Sequence, residues 1–179
     1  MSLSYALLAL LIDCPSSGYD LNKAFENSIG CFWKASHQQI YRELGKLEDL
    51  GWVNVQRVPQ DGKPDKKVYS VNAVGQQQLA AWVAQSCDIT PIKEEILVKL
   101  FVGTLVEPQV LQAHVEQHRQ QHEGLLAMYK LIETKEFPEP QTLDVADHLR
   151  YLTLRCGVRY ATSWMAWCDE VLAYLATLH

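Results

Sequence analysis

The chain has 179 residues, 48% of them apolar, and a net charge of −5. That length suits one large domain or two small ones, and no apolar run approaches the ~18 residues of a membrane-spanning helix. The five cysteines are scattered, with no Cys-x-x-Cys pair, which argues against a disulfide scaffold or a zinc site and predicts buried, reduced thiols in a cytoplasmic protein.

Leu3 to Ile12 reads as a first helix; it lacks a basic leader and Asp13 follows it, so it is not read as a signal peptide. After the turn at Cys14-Pro15-Ser16-Ser17-Gly18, Ser17 can cap a second helix, with the Asp20 carboxylate favoured in its first turn. That helix is expected to run to about Ser28, to bury Tyr19 or Leu21, Ala24, Phe25 and Ile29, and to end at Gly30. Cys31 to Ala35, with Phe32 and Trp33, form a short connector. Ser36 and Gln39 have the spacing of a capping box, and Ile40, Leu44, Leu47 and Leu50 recur at helical intervals and should face the core. A third helix over Ser36–Leu50 follows, with Gly51 just past its last turn.

Two extended runs come next, Trp52 to Val58 and Lys67 to Val71, joined by a tip at 59–66 carrying Lys63 and Lys66. Val53, Val55 and Val58 are set against Val68 and Val71. Asn72 then caps a fourth helix carrying Leu79, Trp82 and Val83. Ser86 to Thr90 is a polar linker, giving expected domains of 1–86 and 87–179. Thr90-Pro91 should open a helix with Glu94 and Glu95 in its first turn.

The second half is helical. Leu111, Val115, His118, His122, Leu125, Tyr129 and Ile132 alternate steps of four and three, a heptad seam. Beyond the Phe137-Pro138-Glu139-Pro140 break, an unbroken pattern from Leu143 to Leu178 carries two apolar stripes. One holds Val145, Leu149, Leu152, Cys156, Tyr160, Ser163, Trp167, Val171, Tyr174 and Leu178; the other holds Leu154, Ala161, Trp164, Cys168, Leu172 and Leu175. One sister helix cannot cover both. The expectation is a long antiparallel helical hairpin that packs on itself and on a second copy, making a homodimer.

The third helix should turn His37, Gln38, Tyr41, Arg42, Gly45 and Lys46 away from its core. Glutamine and arginine can pair bidentately with adenine and guanine in the major groove, whereas a helix start or a tyrosine hydroxyl can hold phosphate. Gln38 and Arg42 are therefore assigned to base edges, with a phosphate contact the equal alternative for Arg42, and Ser36, Tyr41 and Lys46 to the backbone of double-stranded DNA. Lys63, Lys66 and Lys67 would touch phosphates or reach the minor groove from the ribbon. Residues 34–67 hold seven basic and five acidic side chains, while 86–179 hold the whole acidic excess. That bias is weak, so a protein-interaction module that never binds DNA is the alternative. No phosphate loop, nucleophile motif or carboxylate pair suggests an enzyme, and no cofactor is expected.

The run Ser36-x4-Tyr41-x2-Leu44-x2-Leu47-Glu48-x2-Gly51, then Gly62-Lys63-Pro64-x2-Lys67-x-Tyr69-x5-Gly75, resembles the PadR family of bacterial transcriptional regulators. Gly18-Tyr19-Asp20 fits that pattern. Residues 30–39 and the closing Trp167-x-Asp169-Glu170-Val171-Leu172 are similar to its AphA-type branch, which carries a virulence-activator-like helical C-terminal domain. The resemblance implies a mainly α fold with a small β-hairpin: an N-terminal winged helix-turn-helix and a C-terminal coiled-coil-like dimerisation domain. It implies a homodimer on a near-palindromic operator, acting as a repressor, with activation as the alternative. It also implies control by a small aromatic effector or a partner regulator. Trp33, His118, His122, Tyr160 and Trp164 are the candidate effector residues in a pocket between the halves, with plain core as the competing reading. His114, His118 and His122 lie four apart, where hydrogen bonding, pH sensing and metal binding compete; the resemblance supports no metal.

Overall fold

The computed structural model describes residues 3–29, 33–60, 62–89 and 91–178, without the side chains of Asn27, Lys63 and Pro64. The expectations placed on Gly30, Cys31, Phe32, Thr90 and the Lys63 side chain therefore lie outside the described residues. The chain divides into two units, residues 1–89 and 90–179. Among the described residues, no helix is long and apolar enough to cross a membrane.

The first unit packs α1 (Leu3–Asp13), α2 (Gly18–Asn27), α3 (His37–Asp49) and α4 (Ala73–Val83) with a three-stranded antiparallel sheet. Leu7, Leu8, Leu11, Leu21, Phe25, Ile40, Leu44 and Leu47 form its core, each 2% exposed or less. Ser17 caps α2 by accepting from the Asp20 amide, and both halves of the Ser36–Gln39 capping box are formed. On α2 the inward residues are Leu21, Asn22 and Phe25; of the pair Tyr19 or Leu21 it is Leu21 that is buried, Tyr19 being 58% exposed, whereas Ala24 is exposed, contrary to expectation. Asn72 caps α4 by accepting from the Gly75 amide. Gly75 is obligatory there, because a Cβ would stand 2.1 Å from the Trp52 carbonyl oxygen.

The sheet departs from expectation in two ways. A two-residue strand β1 (Ser16–Ser17) pairs with β3 (Lys63–Val71), placing the start of α2 beside the ribbon. Strands β2 (Val53–Gln60) and β3 also run through most of the anticipated tip, turning at Gly62. Val58 lies opposite Lys66, with Gln56 opposite Val68, so both valines sit on the face away from the pairs Val53–Val71 and Val55–Tyr69. Val58 is accordingly exposed while Val53 and Tyr69 are buried.

The second unit holds α5 (Glu95–Phe101), α6 (Pro108–Glu136) and α7 (Val145–Leu175). Helix α5 starts at Glu95 rather than at Pro91, because Ile92 is 71% exposed and burial begins only at Ile96. Pro108 opens α6, and Asp144 caps α7 by accepting from the Asp147 amide. At ~1.5 Å per residue the 31 residues of α7 span roughly 46 Å.

Helices α6 and α7 are antiparallel: Arg119 reaches Asp169 at 2.6 Å, whereas Glu133, further along α6, accepts from Arg155 at 2.9 Å and Tyr151 at 3.2 Å. Leu111, Val115, His122 and Tyr129 are buried on α6; Val158, Ala161, Trp164, Cys168 and Leu175 are buried on α7. The other α7 stripe is open towards both ends, with Val145 79%, Leu149 61% and Tyr174 64% exposed, while its Trp167 and Val171 pack partly on the core of the unit. Of the described cysteines only Cys168 is buried. Cys14 in a turn, Cys87 in the linker and Cys156 on the open stripe are exposed, contrary to expectation.

Candidate nucleic-acid interface

Helix α3 presents one polar surface because its apolar residues all point one way. Ile40, Leu44 and Leu47 are fully buried, while Ser36, Gln38, Tyr41, Arg42 and Lys46 are exposed; Leu50, expected in the core, is 56% exposed at the C-cap, past the last helical turn. The Ser36 hydroxyl uses a lone pair in the cap, accepting from the Gln39 amide at 3.2 Å; its proton can still be donated to an incoming oxygen. Nothing lies within 4 Å of a Cβ built on Gly45, so packing inside the fold does not account for this glycine.

His37 differs from its neighbours. Its Nε2 lies 2.8 Å from the Asn22 amide nitrogen and 3.2 Å from Glu26 Oε1. Sequence reasoning placed it on the DNA-facing surface; the structure turns the ring back onto α2, where it ties the start of α3 to a buried asparagine.

The lysines are also engaged within the fold. Lys46 donates to Glu43 at 2.9 Å, one turn away, and Glu43 also accepts from the Ser4 hydroxyl. Lys66 donates to Asp20 at 3.0 Å, and Lys67 to Glu48 at 2.8 Å. Hydrogen bonds from Ser17 and Lys66 hold the Asp20 carboxyl below its usual range, and the Glu48 bond holds the Lys67 ammonium above its own. Lys66 and Lys67 thus lie along β3 rather than at a free tip. Between α3 and the ribbon is a cleft of about 570 Å³, lined by Ser17, Gly18, Tyr19, Tyr41, Lys66 and Lys67 among others. Its α2 wall went unread in the sequence, because only the pairing of β1 with β3 brings Ser17 and Tyr19 there.

The candidate effector residues divide. Trp33 packs on the core of the first unit. In the second unit His122 stacks on Trp164 at 5.4 Å, with His118 5.0 Å from Trp164 and Tyr160 5.7 Å from His122. His118 and His122 share a hydrogen bond between their Nε2 atoms at 3.1 Å, so one ring donates while the other accepts. The Tyr160 hydroxyl donates to Glu94 at 3.3 Å.

The transcriptional regulator PadR-like family matches residues 7–81, and the virulence activator alpha C-term family matches 92–176. A probable transcriptional regulator of Mycobacterium tuberculosis, Rv1176c, is 38% identical over 181 residues, covering 96% of both chains. The chain belongs to the PadR-like family of transcriptional regulators. Bacillus subtilis PadR, named a negative transcriptional regulator, is 28% identical over 97% of both chains. Among solved structures, the Vibrio cholerae virulence activator AphA shares 32% identity, with a TM-score of 0.81 over 99% of this chain and all of that one. Bacillus subtilis PadR in complex with operator DNA shares 27%, with a TM-score of 0.85 over 98% and 99%. This PadR-like chain therefore has the winged-helix architecture of both.

Proposed function

We propose that this PadR-like protein is a homodimeric, sequence-specific regulator that binds a near-palindromic operator through α3 and the β2–β3 ribbon. The observation that carries the reading is the α3 surface: Gln38, Tyr41, Arg42 and Lys46 stand exposed around a glycine with open space above it. Gln38 and Arg42 read base edges, while Ser36, Tyr41, Lys46 and the ribbon lysines Lys63, Lys66 and Lys67 hold the backbone. His37, its side chain 64% exposed, steadies the start of the helix through Asn22 and Glu26. The relative from Bacillus subtilis seen with operator DNA supports this reading.

The open stripe of α7 is the surface a second copy covers, since an apolar row of that length is rarely left in water. Two heads so joined would enter successive major grooves about 34 Å apart. The cluster of His118, His122, Tyr160 and Trp164 is the effector-reading part of the proposal. Its aromatic lining and the p-coumaric acid found with Bacillus subtilis PadR support an aromatic ligand there.

Selection of bound genomic fragments, followed by footprinting, tests the proposal. Two related half-sites one helical turn apart are expected. Gln38→Ala should relax preference at one base in each half, costing about 1–3 kcal/mol per lost bidentate pair. A single unrepeated footprint, or unchanged preference in the variant, would contradict it.

A further inference from the structure

The head of a DNA-binding protein is ordinarily basic, yet residues 1–85 carry eight basic and eight acidic side chains. The structure shows where that neutrality sits. Lys66 and Lys67 leave β3 as neighbours, and each ends on a carboxylate from a different helix: Asp20 in the first turn of α2 and Glu48 in the last turn of α3. Both partnerships span the chain, 46 and 19 residues apart, so neither is a by-product of helical spacing. Both lysines also line the cleft between α3 and the ribbon.

Resting on the DNA-binding reading above, we infer that Asp20 and Glu48 act as built-in substitutes for backbone phosphate. They hold Lys66 and Lys67 until an operator strand displaces them. Three properties suit that role. Each carboxylate offers the same charge-assisted acceptor as a phosphate oxygen. The pairs are half-exposed, with side-chain exposures of 40% and 51% for Lys66–Asp20 and 39% and 36% for Lys67–Glu48, so they hold weakly and can exchange. Asp20 also carries its own anchor, since the Ser17 hydroxyl donates to it at 2.7 Å; when Lys66 leaves, the carboxylate keeps that partner.

The consequence is restraint on indiscriminate binding. Non-specific affinity comes almost wholly from releasing the counterions of neutralised phosphates. A lysine already matched by its own carboxylate contributes less to that release. Asp20 and Glu48 thereby lower affinity for any duplex, and contacts to base edges make up the difference at the right site.

The test uses the full chain and a fluorescently labelled duplex of random sequence, with anisotropy read across a salt series. Asp20→Asn keeps a side-chain acceptor for the Ser17 hydroxyl and leaves the backbone amide that Ser17 caps in place, but loses the charge. It should bind about tenfold more tightly near 0.1 M salt, and the logarithmic salt slope should steepen by about 0.9 for each freed lysine. Glu48→Gln should act likewise through Lys67. Adding Lys66→Ala to Asp20→Asn should remove the gain and return affinity to that of Lys66→Ala alone. Thermal melts matched to the parent chain show that the variants are folded. If Asp20→Asn and Glu48→Gln bind no more tightly than the parent, or if the gain survives Lys66→Ala, the inference is overturned while DNA binding stands. If the parent binds no duplex at all, both readings are overturned.

Discussion

At the scale of single residues, the α3 surface sets stability against function. Gly45 lies mid-helix, where glycine costs about 1 kcal/mol relative to alanine, and no neighbour in the fold comes within 4 Å of its missing Cβ. Gly45→Ala should therefore stabilise the first unit by about 1 kcal/mol, read as a higher denaturation midpoint. On the proposed reading the same methyl should weaken operator affinity, because it would stand where a sugar-phosphate strand approaches. A variant that is more stable and binds DNA unchanged would show that the α3 face does not meet the duplex closely. His37 shows the limit of reading such a face by periodicity alone. Its position on the helical wheel is outward, but Asn22 and Glu26 of α2 capture the ring.

At the scale of elements, the helices were legible because their signals are local. Ser17, Ser36 and Asn72 each cap a helix as read, and the heptad seam of α6 buries Leu111, Val115, His122 and Tyr129. What escaped depends on distant partners. Strand β1 is two residues without periodicity, visible only through its pairing with Tyr69 and Val68. The ribbon strands continue through lysines, glutamine and proline because an edge of the sheet facing water asks nothing apolar of them. The partnerships of Asp20 with Lys66 and of Glu48 with Lys67 join elements that no local pattern links, so the α3 side chains were readable but the restraint on the ribbon was not.

The α6–α7 seam carries a prediction at this scale. Burial, and then the neighbouring His118, push His122 below its ordinary value of 6.5, with Glu94 opposing. Trp164 stacks on the ring, and Tyr160 packs edge-on. A folded state that resists protonation binds fewer protons than the unfolded chain, so stability is intact above pH 6.5 and is lost as pH falls below it towards the folded value. The denaturation midpoint of the second unit should drop between about pH 7.5 and about pH 5.5, and His122→Phe, which stacks but cannot titrate, should reduce the drop. An equal drop in both proteins would remove His122 from the account.

At the scale of the molecule, α7 is the element a lone chain leaves unfinished. Its inner stripe packs on α6, while Val145, Leu149, Leu152, Tyr174 and Leu178 remain open. Leu149→Glu combined with Leu152→Glu should place like charges across the seam between copies. Sedimentation should then report a single chain with its helix content kept, where the parent is expected to sediment as two. A parent that sediments as one chain would contradict the dimer.

On the proposed reading, two heads that each neutralise at least three phosphates would make DNA affinity a steep function of ionic strength. The most direct measurement is the equilibrium affinity of the intact protein for its selected operator duplex between 50 and 200 mM salt. The account predicts a loss of roughly a thousandfold across that range. An affinity that hardly changes with salt, or no binding above background at the lower concentration, would contradict it and leave a module that meets only other proteins.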